Sequence, residues 1–299
     1  LDKMLGRVAV PGISLESADT LAAATGSGAA EILQLYPDIR MAEEIPAITE
    51  GCRLLCPQAD SAIDIGYQNA RYITGLRKGG PPQFAINGHC AGGTGSFFES
   101  QMVRLNLPME EYSSLIQKAE SIPRLSGRCA VFAKSDVIHL QQEQVPAADI
   151  MLGLCYAMVR NYRSVLIGRL PVAAPVLLCG GVMKNQGVVR ALGDILHLKE
   201  EELVLPDHFE YEQAAGAAVM ADQSVSLSDL RLALSRGTAV RKDMIRISKL
   251  KAMEQGIKNR AMGVREMDPV SWQGEGLLPD SCFLGIDIGS TSTNLVVLD

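Results

Sequence analysis

The stretch Ala62-Ile-Asp-Ile-Gly66 returns near the carboxyl end of the chain, within Leu284-Gly-Ile-Asp-Ile-Gly-Ser-Thr-Ser-Thr293. In each copy a short apolar run, which predicts a strand, delivers an aspartate just before a glycine turn. A carboxylate at a strand end can hold Mg²⁺ through water, and glycines let backbone N–H groups approach phosphate oxygens. The pattern therefore indicates phosphate-binding loops, and the structural alternative is an Asp-x-Gly turn that joins two strands without a ligand.

A third glycine loop, Cys179-Gly-Gly-Val-Met-Lys-Asn185, follows the continuous apolar run 174–179. Such a run predicts a buried strand, and its loop is a place where a ribose or a flat ring could approach the backbone. A strand-to-helix turn without a ligand is the alternative. Further strands are predicted within 18–28 and on both sides of Gly66 in 61–76, and helices over 42–55, 97–107, 109–120, 147–169 and 214–221. Alternating strands and helices predict an α/β architecture.

The composition narrows the class of protein. A chain of 299 residues with 47% hydrophobic and 21% charged residues is long and apolar enough for a two-lobed core, so it is not disordered. No apolar run reaches the roughly 18 residues of a membrane span, so we expect no membrane partner and a cytoplasmic location. A net charge of −6 and 5% aromatic residues argue against nucleic acid as a partner.

Two of the seven cysteines stand out. Cys90 lies in the glycine loop Asn87-Gly-His-Cys-Ala-Gly-Gly-Thr-Gly95, just before a predicted helix whose positive end would stabilise a thiolate. That environment suits a nucleophile or a ligand of an iron–sulfur centre. From its surroundings alone, Cys129 is a core residue, and its spacing from Cys90 fits no metal motif. Four further cysteines are predicted to be core residues: Cys52, Cys56, Cys155 and Cys179.

Seven collinear stretches together resemble the BadF/BadG/BcrA/BcrD ATPases, a family that includes the activators of 2-hydroxyacyl-CoA dehydratases. The resemblance covers residues 18–222 and restarts at Phe283. It rests on ATGSG, EEIPAITEG, AIDIG-Q, NGHCAGGTGSFFE, CAVFAKSDVI, GGVMKNQGVVRAL and QAAGAAVMA. Members of the family have the actin-like ATPase fold, with two RNase H-like lobes that close on ATP. The resemblance implies this α/β fold here.

The resemblance also assigns roles to the glycine loops. It implies ATP and Mg²⁺ as cofactors, a first phosphate loop near residue 287, a second near residue 64 and an adenosine loop near residue 180. Asp64 and Gln68 are implied as catalytic residues. The implied nucleotide-binding residues are Gly66, Gly180, Gly181, Asn185, Asp287, Gly289, Ser290 and Thr291.

A redox role follows from the same resemblance. Cys90 and Cys129 match the two family cysteines that bind a [4Fe–4S] cluster shared between two units, which replaces the core interpretation of Cys129. The implied function is ATP-dependent electron transfer from this cluster to a CoA-ester dehydratase or an aryl-CoA reductase, with ferredoxin or flavodoxin as the electron donor. The alternatives are an actin-fold sugar kinase, for which no substrate base stands out, and a non-hydrolysing scaffold unit.

The second phosphate loop departs from the common family pattern Asp-Ile-Gly-Gly-Gln-Asp, because Tyr67 replaces the second glycine and Asn69 replaces the last aspartate. The tyrosine restricts the approach of backbone to phosphate, and the asparagine removes a negative charge that could help to hold the ion. We therefore expect weak or absent hydrolysis in this unit. Cluster binding does not depend on either position.

The order of the motifs predicts a tandem protein, because the first phosphate loop, which opens a unit in the family, comes last here. We expect an incomplete first unit and the first strands of a second, which would leave the nucleotide site of this stretch incomplete. The predicted divisions are a remnant of the first lobe (1–60), the second lobe (61–205), a closing helix (206–222), a basic linker (223–282) and the start of a second ATPase unit (283–299). Within the linker, residues 231–265 contain ten Lys and Arg against two acidic residues.

Overall fold

A computed structural model describes residues 19–78, 80–87, 93–108, 111–127, 130–226, 228–230, 232–233, 281–289 and 293–298. Ser290, Thr291, Cys90, Cys129 and nearly all of the predicted basic linker lie outside these residues. The described helices include none that is long and apolar enough to cross a membrane.

The first sheet has the strand order β10-β9-β1-β2, with β8 also paired to β1. β1 runs parallel to β9 over the whole register from Asp19 opposite Ser281 to Thr25 opposite Asp287, and β9 and β10 form an antiparallel hairpin. The centre of this sheet is buried and consists of small and aliphatic side chains, among them Ala22, Leu284 and Ile286. The strands are β1 (Asp19–Thr25), β2 (Arg40–Met41), β8 (Ser224–Val225), β9 (Ser281–Ile288) and β10 (Thr293–Leu298).

The second sheet has the order β5-β4-β3-β6-β7. Its central strand β3 is buried along its whole length, including Ser61 and Asp64. β3 pairs antiparallel with β4 and parallel with β6, so the ends of β3 and β6 that carry glycine turns meet at one edge. The strands are β3 (Ser61–Ile65), β4 (Ala70–Thr74), β5 (Gln83–Ile86), β6 (Val176–Cys179) and β7 (Leu203–Val204).

Eight α-helices surround the sheets within the described residues. They are α1 (Ala29–Leu35), α2 (Glu44–Leu55), α3 (Gly95–Leu105), α4 (Tyr112–Ile116), α5 (Ala130–Gln142), α6 (Ala147–Asn161), α7 (Gln186–Leu196) and α8 (Glu212–Val219). The predicted helix over 147–169 is α-helical only to Asn161 and continues as a π-helix over Tyr162–Ile167. α6 is buried almost all round and lies in the largest hydrophobic core, whereas Val165 in the π-helix is exposed.

Two crossing helices join the sheets. α2 packs through Ile48 and Cys52 on the second sheet, and α8 lies on the strands of the first. Glycines allow the two helix backbones to touch, because a Cβ added at Gly216 would lie 1.6 Å from the carbonyl oxygen of Ala47. The layers are therefore sheet, helix, helix and sheet, with a cleft where the strand ends of both sheets face each other.

Candidate functional site

The cleft between the two sheets has a volume of about 570 Å³. It lies where the glycine turns after β3, β6 and β9 converge, next to the first residues of α8. The structure brings the described residues of all three predicted nucleotide loops together along its walls. These residues are Asp64, Gly66, Gln68, Gly180, Gly181, Asn185, Asp287 and Gly289.

At the floor of the cleft an arginine sits between two carboxylates. Arg71 on β4 lies opposite Asp64 on β3, and its Nη1 donates to Asp64 Oδ2 at 2.6 Å. Its Nη2 donates to Glu44, the first residue of α2. Burial lowers the pKa of Arg71, but the carboxylates of Asp64 and Glu44 outweigh burial and raise the pKa above its ordinary value. The cation therefore fixes Asp64 in place.

Sequence reasoning missed Arg71 and Glu44 as site residues. The sequence contained one indication of a functional role for each of them. Arg71 is a charged residue in a strand predicted to be buried, and Glu44 opens the predicted helix within the EEIPAITEG stretch. Their pairing depends on the register of β3 and β4 and on the position of α2, which no local pattern reveals.

The second aspartate of the cleft, Asp287, stands at the end of β9 and is 8% exposed. Asn294 donates from Nδ2 to Asp287 Oδ2 at 3.2 Å, across the β9–β10 hairpin. Burial is the main cause that raises the pKa of Asp287 to about 6, and the nearby charge of Asp64 adds to the effect. The two phosphate-loop carboxylates are thus close enough to influence each other.

A further carboxyl group, Glu212, lines the cleft at the start of α8. It is 3% exposed, and its Oε2 has no hydrogen-bond partner in the described structure. Burial raises the pKa of Glu212 well above its ordinary value, and the charge of Asp64 raises it further. Glu212 therefore gives up its proton less readily than an exposed glutamate does.

Glycine is required at the predicted adenosine loop. Gly180 has φ of +85°, and an added Cβ would lie 2.5 Å from the carbonyl oxygen of Ile65. The adjacent Asn185 caps α7, because its Oδ1 accepts a hydrogen bond from the N–H of Gly187 at 3.0 Å. Asn185 therefore has a structural role as well as a place on the cleft wall. Its capping role fits the predicted strand-to-helix turn.

Tyr67, the departure from the family pattern, lines the cleft, and its hydroxyl donates to Glu99 on α3. This hydrogen bond is the main cause that raises the pKa of Tyr67, ahead of burial. The ring is therefore tied to a helix beside the loop that it belongs to.

The four cysteines predicted to be core residues, Cys52, Cys56, Cys155 and Cys179, are buried free thiols. Burial raises the pKa of Cys155 to about 12, so this thiol stays protonated. The described part of the chain contains no cluster of three or more His, Cys, Asp or Glu that could hold a metal ion. The predicted ligands Cys90 and Cys129 lie outside the described residues, so their assignment stays a prediction.

The charges of the cleft suit an anion that arrives with a divalent cation. Arg71 and Lys184 are outnumbered by carboxyl groups, and Lys184 is already paired with Glu210 at 2.6 Å. A bare polyphosphate would be repelled by these carboxylates, whereas Mg²⁺ prefers the oxygen ligands that they offer. The carboxyl groups that line the cleft are Glu44, Asp64, Glu99, Glu210, Glu212 and Asp287.

The chain is similar in sequence to two named activators. The chain is 36% identical over 178 residues to the activator of lactoyl-CoA dehydratase from Anaerotignum propionicum, covering 60% of this chain and 67% of the relative. It is 30% identical over 178 residues to the 2-hydroxyisocaproyl-CoA dehydratase activator of Clostridioides difficile, covering 60% of this chain and 65% of the relative. The matched part thus spans about two thirds of each relative.

A solved structure, the activator of the 2-hydroxyisocaproyl-CoA dehydratase from Clostridium difficile with bound ADPNP, superposes with a TM-score of 0.58. The two are 26% identical, and the match covers 76% of this chain and 78% of that one. The predicted actin-like fold is confirmed. The sequence profile of the BadF/BadG/BcrA/BcrD ATPase family matches residues 9–221, which is more than half of the chain, and the chain therefore belongs to that family.

Proposed function

We propose that the chain is part of an ATP-dependent activator that passes an electron from a [4Fe–4S] cluster to a CoA-ester dehydratase or reductase. The observation that carries this proposal is the cleft in which Asp64, Asp287 and Gly180 converge, in a chain of this family. The nucleotide in the solved relative supports ATP as the ligand, and the names of the curated relatives support the acceptor.

In this proposal Asp64 and Asp287 hold Mg²⁺ through water, one from each sheet. Gly66 and Gly289 supply backbone N–H groups to the phosphates, and Gly180 and Gly181 admit the adenosine. Gln68, beside the second phosphate loop, orients the attacking water. Arg71 keeps the carboxylate of Asp64 in position, because it binds Asp64 and Glu44 at the same time.

The two sheets can respond to the nucleotide because crossing helices join them. Mg·ATP in the cleft would contact residues of both sheets, so it would bind a closed arrangement more tightly than an open one. A nucleotide shifts a conformational equilibrium only by this difference in affinity. Loss of the γ-phosphate would remove part of these contacts and would allow the lobes to open again.

The electron-transfer part of the proposal rests on Cys90 and Cys129. When bound between these thiolates and those of a second unit, in the same parent chain or in a homodimer, a [4Fe–4S] cluster would supply one-electron chemistry. Ferredoxin or flavodoxin is the proposed donor. The positive end of the helix that follows Cys90 would stabilise the thiolate form of this ligand.

The test uses the full chain, reconstituted with iron and sulfide under anaerobic conditions and then reduced. Addition of Mg·ATP should change the electron paramagnetic resonance spectrum, whereas Mg·ADP should give a different spectrum; phosphate release should be slow or absent, because Tyr67 and Asn69 replace residues of the family's phosphate loop. Asp64→Ala should keep its iron and lose the response to ATP. If the spectrum of the unmodified chain stayed the same on addition of Mg·ATP, the nucleotide would not act on the redox centre.

A further inference from the structure

Glu212 is the first residue of α8, and its side chain lines the cleft. The residue is 3% exposed, and its Oε2 has no hydrogen-bond partner among the described residues. An unpaired polar atom in such a place lowers stability, so native proteins seldom contain one unless water, an ion or a function accounts for it. Because the side chain borders the cleft, a group bound in the cleft can supply the missing partner.

The backbone of Glu212 is fixed on two sides. Its carbonyl oxygen would lie 1.7 Å from a Cβ added at Gly51, so α8 and α2 are in backbone contact there. Two residues earlier, the carbonyl oxygen of Glu210 accepts from Asn294 Nδ2 at 3.3 Å, and the same nitrogen donates to Asp287 Oδ2 at 3.2 Å. The start of α8 is therefore held between α2 and the β9–β10 hairpin.

Two other carboxyl groups influence Glu212. Burial is the largest cause that raises the pKa of Glu212, and the charges of Asp64 and Asp287 raise it further. Three acidic groups, from β3, β9 and α8, thus border one region of the cleft and disfavour each other's ionised form. A water molecule alone would give Glu212 a hydrogen bond but would leave this repulsion in place, whereas a divalent cation would offset it.

The arrangement suits a cation that keeps its water ligands. The described residues include no group of three or more His, Cys, Asp or Glu that could hold a metal ion directly. Mg²⁺ gives up its waters reluctantly and is usually bound through one or two carboxylates and substrate phosphates, with several waters retained. A carboxyl group beyond direct reach of such an ion can still accept a hydrogen bond from one of its waters. The unpaired oxygen of Glu212 fits this role.

We propose that Glu212 is a positioning residue of the cation site, with Oε2 accepting a hydrogen bond from a water ligand of the Mg²⁺ that accompanies the nucleotide. Asp64 and Asp287 hold the hydrated ion from the two sheets, and Glu212 adds a third contact from α8, which lies between the sheets. The inference rests on the proposed function, because the nucleotide and its cation belong to that proposal.

The test compares the affinity of ADPNP for the full, iron-free, reduced chain in saturating Mg²⁺ with its affinity in excess EDTA, both by calorimetry. The ratio of the two affinities measures how much the cation contributes to binding. Glu212→Gln keeps the size of the side chain and removes its charge, so this ratio should fall about tenfold, the loss expected for one hydrogen bond to a charged group. The affinity in EDTA should not fall, because without a cation the carboxylate only repels the phosphates. A loss of affinity that is equal with and without Mg²⁺ would indicate a structural role and would overturn the proposal.

The matched control is Glu31→Gln, which makes the same change at an exposed residue in the first turn of α1, outside the residues that line the cleft. Its ratio should equal that of the unmodified chain. If Glu212→Gln had the same ratio as this control, the inference would be wrong while the proposed function would stand. An unmodified chain that binds ADPNP in neither condition would contradict both, and the absence of iron keeps either result separate from the cluster assignment.

A chromium(III) complex of ATP tests whether the contact passes through water, because its water ligands exchange too slowly to be displaced. The complex should bind the unmodified chain with an affinity similar to that of Mg·ADPNP, and it should bind Glu212→Gln more weakly. If the chromium complex failed to bind a chain that binds Mg·ADPNP, the protein would have to displace waters from the ion, and the water-mediated contact of Glu212 would be excluded.

Discussion

Arg71 lies within a buried charged cluster of the described structure. It is 5% exposed and neutralises Asp64, which is 3% exposed, together with the half-buried Glu44. Removal of one partner from a buried pair leaves an uncompensated charge that water cannot reach. The stability of the floor of the cleft therefore depends on this one guanidinium.

Arg71→Met should lower the free energy of unfolding by about 3–5 kcal/mol, because it leaves two carboxylates without their cation. Urea denaturation at neutral pH measures the change. The matched control is Arg40→Met, whose ion pair with Asp222 is exposed and should contribute about 1 kcal/mol or less. Equal losses in the two variants would contradict the role given to the buried pair.

Asp287 makes the stability depend on pH in the opposite sense to an ordinary ion-paired aspartate. Its pKa in the folded chain is about 6, above its ordinary value of 3.8, so its ionised form disfavours the folded state. The penalty is present above pH 6 and disappears as the pH falls toward 4. Such a cost is expected where a carboxylate is kept for a ligand.

Asp287→Asn should therefore stabilise the nucleotide-free chain by about 1–3 kcal/mol at pH 7.5, and the gain should vanish near pH 4. Urea denaturation at both pH values measures this difference. A gain of the same size at both pH values would show that charge is not its cause.

At the scale of elements, the crossing of α2 and α8 decides how the sheets are joined. The backbones touch at Gly51 and Gly216, where an added Cβ would lie 1.7 and 1.6 Å from carbonyl oxygens of the opposite helix. Backbone atoms at such distances cannot move aside as a flexible side chain would. The crossing therefore has little tolerance for larger residues.

Gly216→Ala should destabilise the chain by about 3 kcal/mol or more, since the added methyl group forces two buried helices apart. The control is Gly193→Ala in α7, where the methyl group would meet a leucine side chain at 3.3 Å and helix propensity favours alanine. Thermal unfolding of both variants provides the comparison. If Gly216→Ala were as stable as the control, the close crossing would be wrong.

The helices and strands also show which features of the fold could be predicted from the sequence. Strands on both sides of Gly66 and the buried nature of residues 147–159 were predictable, because the apolar runs are long and uninterrupted. The change from α-helix to π-helix at Tyr162 was not predicted from these runs. The hydroxyl of Tyr162 donates to the carbonyl oxygen of Arg71 at 2.5 Å. Such contacts leave no periodic signal in the sequence.

At the scale of the whole molecule, the hairpin of β9 and β10 places Asp287 of the predicted first phosphate loop on the wall of the cleft. The order of the motifs predicted that 283–299 begins a second unit, and that division stays a prediction. In the structure these strands complete the sheet of β1, and the carbonyl oxygen of Ile288 accepts from the N–H of Gly28 at 2.8 Å. The sequence identified the loop by its motif, but its partner strand depends on long-range pairing.

Gly285→Val should displace this hairpin, because an added Cβ would lie 1.7 Å from the carbonyl oxygen of Ala214 in α8. We expect the affinity for Mg·ADPNP to fall about tenfold or more, a loss of roughly 1.4 kcal/mol of binding free energy. Gly80→Val is the control, because a Cβ there meets nothing within 4 Å. Calorimetric titration of both variants gives the answer, and unchanged affinity in Gly285→Val would show that the hairpin does not contribute to the site.

The most direct test of the proposed function is the iron and sulfide content of the full chain after anaerobic reconstitution. The unmodified chain should bind one [4Fe–4S] cluster for each pair of units, and Cys90→Ser and Cys129→Ser should each lose most of it. Cys56→Ser, which changes a buried thiol of the core, should retain the cluster. Iron and sulfide that stay at the unmodified level when Cys90 and Cys129 are both replaced would contradict the account.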